Sequence, residues 1–281
     1  MNITFRTILL LVLTVLIVSS CSKKDPTELQ VGNFNYDQSN SKVNCEVNSR
    51  LGKAGINDEI KFSKALSYHL RTPLNYDATK GHPLLMVYAP ASRSGKATER
   101  FVRITKLATE SGFIVAYADS QRMTMDTVTT FGKLPEHISK SWCIDPEQIY
   151  MTGHSDGGTI TTALAFLKQT RDIPSAIAPS GAGMRGADMK TNECPDPLPV
   201  MVMHNKSDRH FPDFGAETVK WWVACNQCNE TPVASDITGC MEYMNCSDKV
   251  RTFYCEGEGS HSKWPELNSS MLQFFKQHTL N

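Results

Sequence analysis

The feature that most constrains the fold is a series of six short apolar runs separated by segments with helical patterning. The runs are Pro83–Ala89, Phe113–Ala118, Gln148–Thr152, Ser175–Pro179, Val200–His204 and Val250–Tyr254. Their apolar content is nearly continuous, which is typical of parallel strands that are covered on both faces. The helical segments are Ala97–Ser111, Gly158–Gln169, Ala216–Cys225 and Leu267–Gln277. This alternation predicts an α/β fold with a doubly wound, mostly parallel sheet, in one domain over residues 45–281.

The N-terminal 21 residues have the layout of a signal peptide. One cation, Arg6, precedes an apolar run over residues 8–18, and small residues lead to Cys21. The run is too short for a comfortable membrane span, and Val-Ser-Ser-Cys resembles the lipobox of bacterial lipoproteins. We therefore expect residues 1–21 to be a lipoprotein signal peptide and Cys21 to be lipidated. Ordinary cleavage and an uncleaved anchor are the alternatives.

A lipid anchor at Cys21 implies an exported protein held on a cell-envelope membrane, facing the periplasm or the exterior. Residues 22–44 are polar and lack periodicity, so they are predicted to form a flexible tether between the anchor and the domain.

The charge balance excludes one broad class of partners. The chain has 29 Lys and Arg residues against 29 Asp and Glu residues, so it has no basic excess for nucleic acid. A neutral or weakly charged substrate fits this balance. No compact metal-binding motif is present in the sequence, and we expect no cofactor, no metal and a monomer.

The cysteines also fit export. Besides Cys21 there are eight: Cys45, Cys143, Cys194, Cys225, Cys228, Cys240, Cys246 and Cys255. An even number in an exported chain predicts up to four disulfides, whose connectivity the sequence leaves open. Five of the eight lie between residues 225 and 255, which predicts a disulfide-rich segment near the C-terminal third. A redox pair or half of a zinc site at Cys225 and Cys228 is the alternative.

The chemistry-bearing motif is a G-x-S-x-G sequence centred on Ser155. The strand candidate Gln148–Thr152 leads into Gly153, and Gly157 and a helical segment follow. A nucleophilic serine at a sharp strand-to-helix turn needs this arrangement, with glycines where side chains would clash. The helix N-terminus places positive potential beside the serine. The motif predicts a nucleophile at Ser155, and a simple glycine turn is the alternative.

A serine nucleophile needs a base and an orienting carboxylate, in the chain order serine, acid, histidine for this type of elbow. Asp208 follows the apolar run Val200–His204, and Asp213 is its competitor. His261 lies in a glycine-bearing loop after the last run, whereas His278 lies on the C-terminal helical segment. These positions predict Asp208 as the acid and His261 as the base.

Four stretches resemble secreted esterases of the poly(3-hydroxybutyrate) depolymerase and feruloyl esterase group. The resemblance is clearest in CIDPEQIYMTGHSDGG, which is similar to the segment that leads to the nucleophile in that group. In this chain, PVMVMHNKSDRHFP resembles the acid loop of the group and GSHSKWP resembles its histidine loop. WWVACNQC resembles a segment of the group that contains a disulfide-bonded cysteine. The resemblance implies an α/β-hydrolase fold and a serine carboxylic ester hydrolase with Ser155, Asp208 and His261 as its triad.

The same resemblance implies a substrate class and an oxyanion site. We expect hydrolysis of hydroxyalkanoate polymer or oligomer esters. Feruloyl or acetyl-xylan esterase action, and a catalytically weak polymer-binding protein on the same fold, are the alternatives. The backbone N–H groups of Asp156 and Ala91 are expected to bind the oxyanion. The candidate substrate-binding side chains are Trp264, His210 and Trp142.

Three departures from the group's pattern stand out. Ala89-Pro90 occupies the position of a His-Gly pair, and proline has no N–H to donate. Asn205 stands in the acid loop where the group usually has glycine. The His-Ser-Lys-Trp segment from His261 to Trp264 has one residue more than the usual histidine loop.

Overall fold

The computed structural model describes residues 31–33 and 43–278 of the chain. In this part of the chain, ten strands form one sheet: β1 (Ile56–Lys61), β2 (Ser67–Arg71), β3 (His82–Tyr88), β4 (Ile114–Ala118), β5 (Ile144–His154), β6 (Ala176–Ser180), β7 (Val200–Asn205), β8 (Val233–Ala234), β9 (Cys240–Tyr243) and β10 (Thr252–Gly257). The helices are α1 (Gly95–Val102), α2 (Thr105–Glu110), α3 (Met125–Gly132), α4 (Leu134–Ser139), α5 (Asp156–Phe166), α6 (Gly186–Met189), α7 (Phe214–Cys225) and α8 (Asn268–Lys276).

The sheet is parallel in its centre and antiparallel at both edges. Its strand order is β1-β2-β4-β3-β5-β6-β7-β10-β9-β8. In this order the six strands from β4 to β10 are parallel to one another, and they coincide with the six predicted apolar runs. The prediction of a doubly wound, mostly parallel α/β sheet is therefore confirmed. The antiparallel strands β1, β2, β8 and β9 were not predicted, because mixed polar sequences at sheet edges lack the continuous apolar signal of central strands.

Helices cover both faces of the sheet. Successive residues of β3 point to opposite sides, so that Met86 belongs to one buried cluster and Val87 to the other. Trp222 of α7 packs in the first cluster, and Phe274 of α8 packs in the second. This two-sided burial explains why the central strands read as continuous apolar runs.

The predicted helix Ala97–Ser111 is two helices. Arg103 ends α1 in the left-handed region, with φ of 55°, and its N–H donates to the Glu99 carbonyl. The hydroxyl of Thr105, at the start of α2, donates to Glu99 Oε1 at 2.8 Å. Glu99 also forms a two-pronged ion pair with the fully buried Arg71. This buried polar network turns the chain at Arg103, which a propensity argument over the segment does not reveal.

The predicted disulfide framework is confirmed, and the structure supplies its connectivity. The pairs are Cys45–Cys143, Cys194–Cys225, Cys228–Cys246 and Cys240–Cys255. The last three lie within residues 194–255; Cys225 is the last residue of α7, and the Cys240–Cys255 pair joins β9 to β10. Cys225 and Cys228 bond to different partners, so they do not form a redox pair with each other.

The segment before the domain touches it at two points. The Gly32 N–H donates to Thr109 Oγ1 at 3.0 Å, and the Gly32 carbonyl accepts from the Leu74 N–H at 3.1 Å. Asn44 forms an isolated bridge with Lys80. The predicted signal peptide, Cys21 and most of the predicted tether lie outside the described residues.

Over residues 31–33 and 43–278, none of the helices has the length and apolar content that crossing a membrane requires. The same residues contain no group of three or more His, Cys, Asp or Glu side chains that could hold a metal ion.

Candidate active site

Ser155 lies on a tight turn between β5 and α5. Its backbone has φ of 56° and ψ of −118°, a conformation that non-glycine residues rarely adopt, and its N–H donates to the Ser180 carbonyl at 3.0 Å. The turn depends on close backbone packing. A Cβ on Gly157 would lie 2.0 Å from the Tyr88 carbonyl oxygen, and one on Gly153 would lie 2.5 Å from the Gly157 carbonyl. The glycines therefore let the chain reverse sharply and present the serine hydroxyl at the strand end.

The structure brings Ser155, His261 and Asp208 into one hydrogen-bonded chain. His261 Nε2 lies 2.9 Å from Ser155 Oγ, and His261 Nδ1 lies 2.7 Å from Asp208 Oδ2. The three residues follow β5, β10 and β7, whose carboxyl ends meet at the same edge of the parallel sheet. With the carboxylate accepting from Nδ1–H, the neutral ring can accept the hydroxyl proton at Nε2.

Asp208 is held as a carboxylate by its own turn. Its Oδ1 accepts from the backbone N–H groups of His210 and Phe211, each at 2.9 Å. Burial acts to raise the pKa of Asp208, but the Phe211 N–H and the His261 ring outweigh burial, and the pKa lies below its usual value. A lowered folded-state pKa means that the ionised carboxylate stabilises the fold at neutral pH. This stabilisation is lost as the pH falls through the folded-state pKa.

The competing residues lie elsewhere. Asp213 is exposed and precedes α7 in the left-handed region. His278 follows α8, and its ring packs on Phe274. Among the described residues, the carboxylate that hydrogen-bonds to the His261 ring is that of Asp208. Asp213 forms no such bond in the described part of the chain.

His154, the residue before Ser155, directs its ring nitrogens to the histidine loop and to Ser180. Its Nε2 lies 2.7 Å from the His261 carbonyl oxygen, and its Nδ1 lies 3.0 Å from Ser180 Oγ. Burial lowers the pKa of His154 to about 4, so the ring is neutral at neutral pH. Because a carbonyl only accepts, Nε2 carries the proton and Nδ1 accepts from the Ser180 hydroxyl.

Aromatic rings surround the exposed side of His261. The His210 ring centroid lies 4.9 Å from that of His261, and Phe211 meets His261 edge-on at 4.9 Å. An open cleft of about 470 Å³ lies here, lined by Ser207, Arg209, His210, Ser260, His261 and Ser262. The structure thus places the predicted substrate-binding residue His210 beside the site. Phe211 was not predicted, since nothing in its sequence position marks which way its ring turns.

The two predicted tryptophans are buried. The Trp264 ring packs against the His154 ring, with their centroids 6.1 Å apart, and its Nε1–H donates to Asn268 Oδ1. Trp142 lies before β5, whose far end carries Ser155, and its Nε1–H donates to the Lys53 carbonyl. The structure does not bring Trp142 to the site, which corrects the expectation that it binds substrate. Adjacency in sequence to the elbow strand misled here, because an 11-residue strand separates its two ends.

The two predicted oxyanion donors are Asp156, directly after Ser155, and Ala91, two residues after Ala89, whose carbonyl packs beside the elbow. Asp156 is the first residue of α5, where backbone N–H groups have no acceptor within the helix. The segment after β3 passes beside the elbow, since the Ala89 carbonyl would lie 3.1 Å from a Cβ on Gly157. Ala91 is exposed in the turn that follows, which the Arg93 N–H closes onto the Pro90 carbonyl at 3.1 Å.

Sequence comparison finds curated relatives among feruloyl esterases. Feruloyl esterase B of Piromyces equi is 25% identical over 222 residues, which cover 68% of this chain and 41% of that protein. A probable feruloyl esterase C of Aspergillus oryzae is 24% identical over 214 residues, which cover 70% of this chain and 77% of that protein. The chain therefore spans less than half the length of the Piromyces relative. No protein-family model matches the chain.

Solved structures share the fold at low sequence identity. An acetyl xylan esterase from Aspergillus awamori has a TM-score of 0.60 and 14% identity, with 80% of this chain and 99% of that chain covered. The ferulic acid esterase of Anaeromyces mucronatus has a TM-score of 0.53 and 13% identity, with 90% of this chain and all of that chain (100%) covered. These matches favour the feruloyl and acetyl-xylan alternative over the poly(3-hydroxybutyrate) depolymerase expectation. The chain is similar in sequence to feruloyl esterases and shares the α/β-hydrolase fold of these solved esterases.

Proposed function

We propose that this protein is a serine carboxylic ester hydrolase. The observation that carries the proposal is the continuous chain of hydrogen bonds from Ser155 through His261 to Asp208, at 2.9 and 2.7 Å. A serine on a strained turn, a base within reach of its hydroxyl and a buried carboxylate behind the base are the parts that acyl transfer requires. This complete arrangement favours an active enzyme over a binding protein on the same fold.

The geometry supports a two-step mechanism. Ser155 Oγ attacks the ester carbonyl while His261 Nε2 takes its proton, and Asp208 stabilises the resulting imidazolium. The backbone N–H groups of Asp156 and Ala91 would donate to the oxyanion, and losing one such donor typically costs about 3 to 4 kcal/mol of transition-state stabilisation. His261 then protonates the leaving alkoxide, which departs as the alcohol. Water, deprotonated by His261, then attacks the acyl carbonyl, and His261 returns this proton to Ser155 Oγ as the acid is released.

The substrate class that we propose is a plant cell-wall ester, with a feruloyl or acetyl group on a carbohydrate alcohol. The similarity to feruloyl esterases and the fold shared with an acetyl xylan esterase support this choice. The cleft beside His261 is lined by the serines Ser207, Ser260 and Ser262, which suit a leaving group rich in hydroxyls.

A substrate panel tests this proposal. The domain from residue 22 is expected to hydrolyse methyl ferulate or acetylated xylan with a kcat/KM at least about tenfold above that for hydroxybutyrate oligomers, a difference of about 1.4 kcal/mol. Initial rates on each substrate and on a short p-nitrophenyl ester measure this ratio. Faster hydrolysis of hydroxybutyrate oligomers would return the substrate assignment to the depolymerase class. Activity on none of these esters, despite intact folding, would contradict the esterase proposal itself.

We further propose that the chain is exported and held on a membrane by a lipid on Cys21. Four disulfides fit an oxidising compartment, and the lipobox-like sequence ends at Cys21. Cys21→Ala is expected to release the protein into the soluble fraction or to stop its processing, as judged by membrane fractionation and the mass of the mature chain. Membrane association and mass that match the unsubstituted protein would rule out lipidation at this residue.

A further inference from the structure

The base of the proposed mechanism lies on a loop outside the helices and strands. His261 lies between the end of β10 at Gly257 and the start of α8 at Asn268, and its side chain is 19% exposed. Misplacing a reacting group by about 1 Å can cost about 10²-fold in rate. Contacts that fix this loop therefore bear directly on whether His261 keeps its two hydrogen bonds.

The carboxamide of Asn205 makes two of these contacts. Its Nδ2 donates to the Ser260 carbonyl at 2.9 Å and to the Lys263 carbonyl at 2.8 Å. The two acceptors lie on either side of His261 in the sequence, so one buried side chain holds the loop at both flanks. Asn205 is itself fixed as the last residue of β7 and is only 2% exposed.

The same residue holds the acid turn. The Asn205 carbonyl accepts from the Asp208 N–H at 3.0 Å, which closes the turn that carries the carboxylate. The side chain of Asn205 thus fixes the loop of the base while its backbone fixes the turn of the acid. This links the relative positions of Asp208 and His261 to one residue.

The two carbonyl acceptors assign the orientation of the Asn205 amide. Gly257 is the register partner of Asn205, and a Cβ on Gly257 would lie 2.5 Å from Asn205 Oδ1. A rotated amide would turn its oxygen toward the carbonyl oxygens of Ser260 and Lys263, where it could not donate. The hydrogen-bond partners therefore assign the Nδ2 position.

Two departures noted in the sequence meet at this point. Asn205 replaces a glycine of the esterase pattern, and the loop from His261 to Trp264 is one residue longer than that pattern. Glycine has no side chain to reach the loop. The carboxamide of Asn205 spans the interval to the Ser260 and Lys263 carbonyls that bracket the longer loop.

We propose that Asn205 is a positioning residue for the His261 base, which holds the lengthened histidine loop so that the ring contacts both Ser155 and Asp208. The inference rests on the proposed role of His261 as base. His154, which contacts the His261 carbonyl, supports the loop from the other side. Asn205 acts through His261 and does not touch the reacting atoms.

Asn205→Ala tests this inference. Its kcat is expected to fall by about 10- to 100-fold, because the ring samples positions away from Ser155, while KM changes by less than about threefold. The ring ¹⁵N spectrum of His261 gives a readout that needs no substrate. The unsubstituted protein is expected to show one tautomer with the proton on Nδ1, and Asn205→Ala a mixture.

Asn226→Ala is the matched control. The Asn226 carboxamide is also fully buried and donates to the Leu198 carbonyl and to Thr252 Oγ1, both away from the site. It is expected to lose thermal stability while keeping kcat and the His261 spectrum. An Asn205→Ala protein with the kcat and His261 spectrum of the unsubstituted protein would overturn the proposal, as would equal kcat losses in the two variants.

A second variant, Asn205→Ser, tests the proposal if Asn205→Ala does not fold. Asn205→Ser keeps one donor in a smaller side chain and is expected to lose about fivefold in kcat, roughly half the effect on a logarithmic scale. Full kcat with an unchanged tautomer in Asn205→Ser would overturn the proposal. If the unsubstituted protein hydrolyses no ester, the esterase proposal fails, and the ¹⁵N spectra still decide whether Asn205 orders the His261 ring.

Discussion

Ser155→Ala is expected to reduce kcat for ester hydrolysis by about 10⁶-fold and to abolish labelling by a fluorophosphonate. The substitution removes the only atom that attacks the carbonyl, and with it the hydrogen bond to His261 Nε2. The fold should persist, because the Ser155 N–H that donates to the Ser180 carbonyl belongs to the backbone and is retained. We expect the free energy of unfolding to change by about 1 kcal/mol or less, the net worth of one hydrogen bond.

The rate of fluorophosphonate labelling and the steady-state rate of ester hydrolysis test this prediction. Circular dichroism and urea unfolding verify the fold. Ser139→Ala is a suitable control, since Ser139 is a serine on α4 whose hydroxyl donates to the Glu136 carbonyl, remote from the elbow. Its rate and labelling should match those of the unsubstituted protein. Labelling of Ser155→Ala at the original rate would show that another serine is the nucleophile.

Asp208→Asn is expected to reduce kcat by about 10⁴-fold and to lose the stabilisation that the ionised carboxylate supplies at neutral pH. The carboxamide oxygen can still accept from the His210 and Phe211 N–H groups, as Oδ1 of Asp208 does. Its NH₂ would then face His261 Nδ1, which must become an acceptor. The proton moves to Nε2, and that atom can no longer take the proton of Ser155.

The rival carboxylate supplies the control. Asp213→Asn removes a charge five positions away, and asparagine tolerates the left-handed backbone, φ of 65°, that Asp213 adopts. We expect Asp213→Asn to keep kcat within about twofold, because surface substitutions away from the reacting groups have small effects. The ring ¹⁵N spectrum of His261 should show the tautomer change in Asp208→Asn alone. The reverse pattern of kcat losses would make Asp213 the acid.

The parallel centre of the sheet was predictable because its strands are buried on both faces. Each of the six apolar runs became a strand whose bounds lie within three residues of the predicted ones, except β5, which extends from Ile144 to His154. The antiparallel edge strands were not predicted, and neither was the break between α1 and α2 at Arg103. That break depends on Glu99 being held by Arg71 and Thr105, which lie on other elements.

The chain order of Ser155, Asp208 and His261 could be read from the sequence because each follows a strand of a parallel sheet. Which aromatic side chains lie near the proposed site could not be predicted from the order of the strands. Trp142 lies two residues before the start of the elbow strand, at the end remote from Ser155, whereas Phe211 lies against the His261 ring. Cysteine number predicted a disulfide framework, but pairings such as Cys45–Cys143 required the folded chain.

The sequence by itself determined the layered fold, the turn at Ser155 and the chain order of the proposed acid and base, because these follow from local patterns of burial and turn chemistry. Only the tertiary structure decided which cysteines pair, which aromatic rings face the site and what holds the histidine loop. Those answers depend on contacts between residues far apart in the chain. Asn205 shows the difference, since in sequence it is a departure from a glycine and in the structure it contacts the two carbonyls that bracket His261.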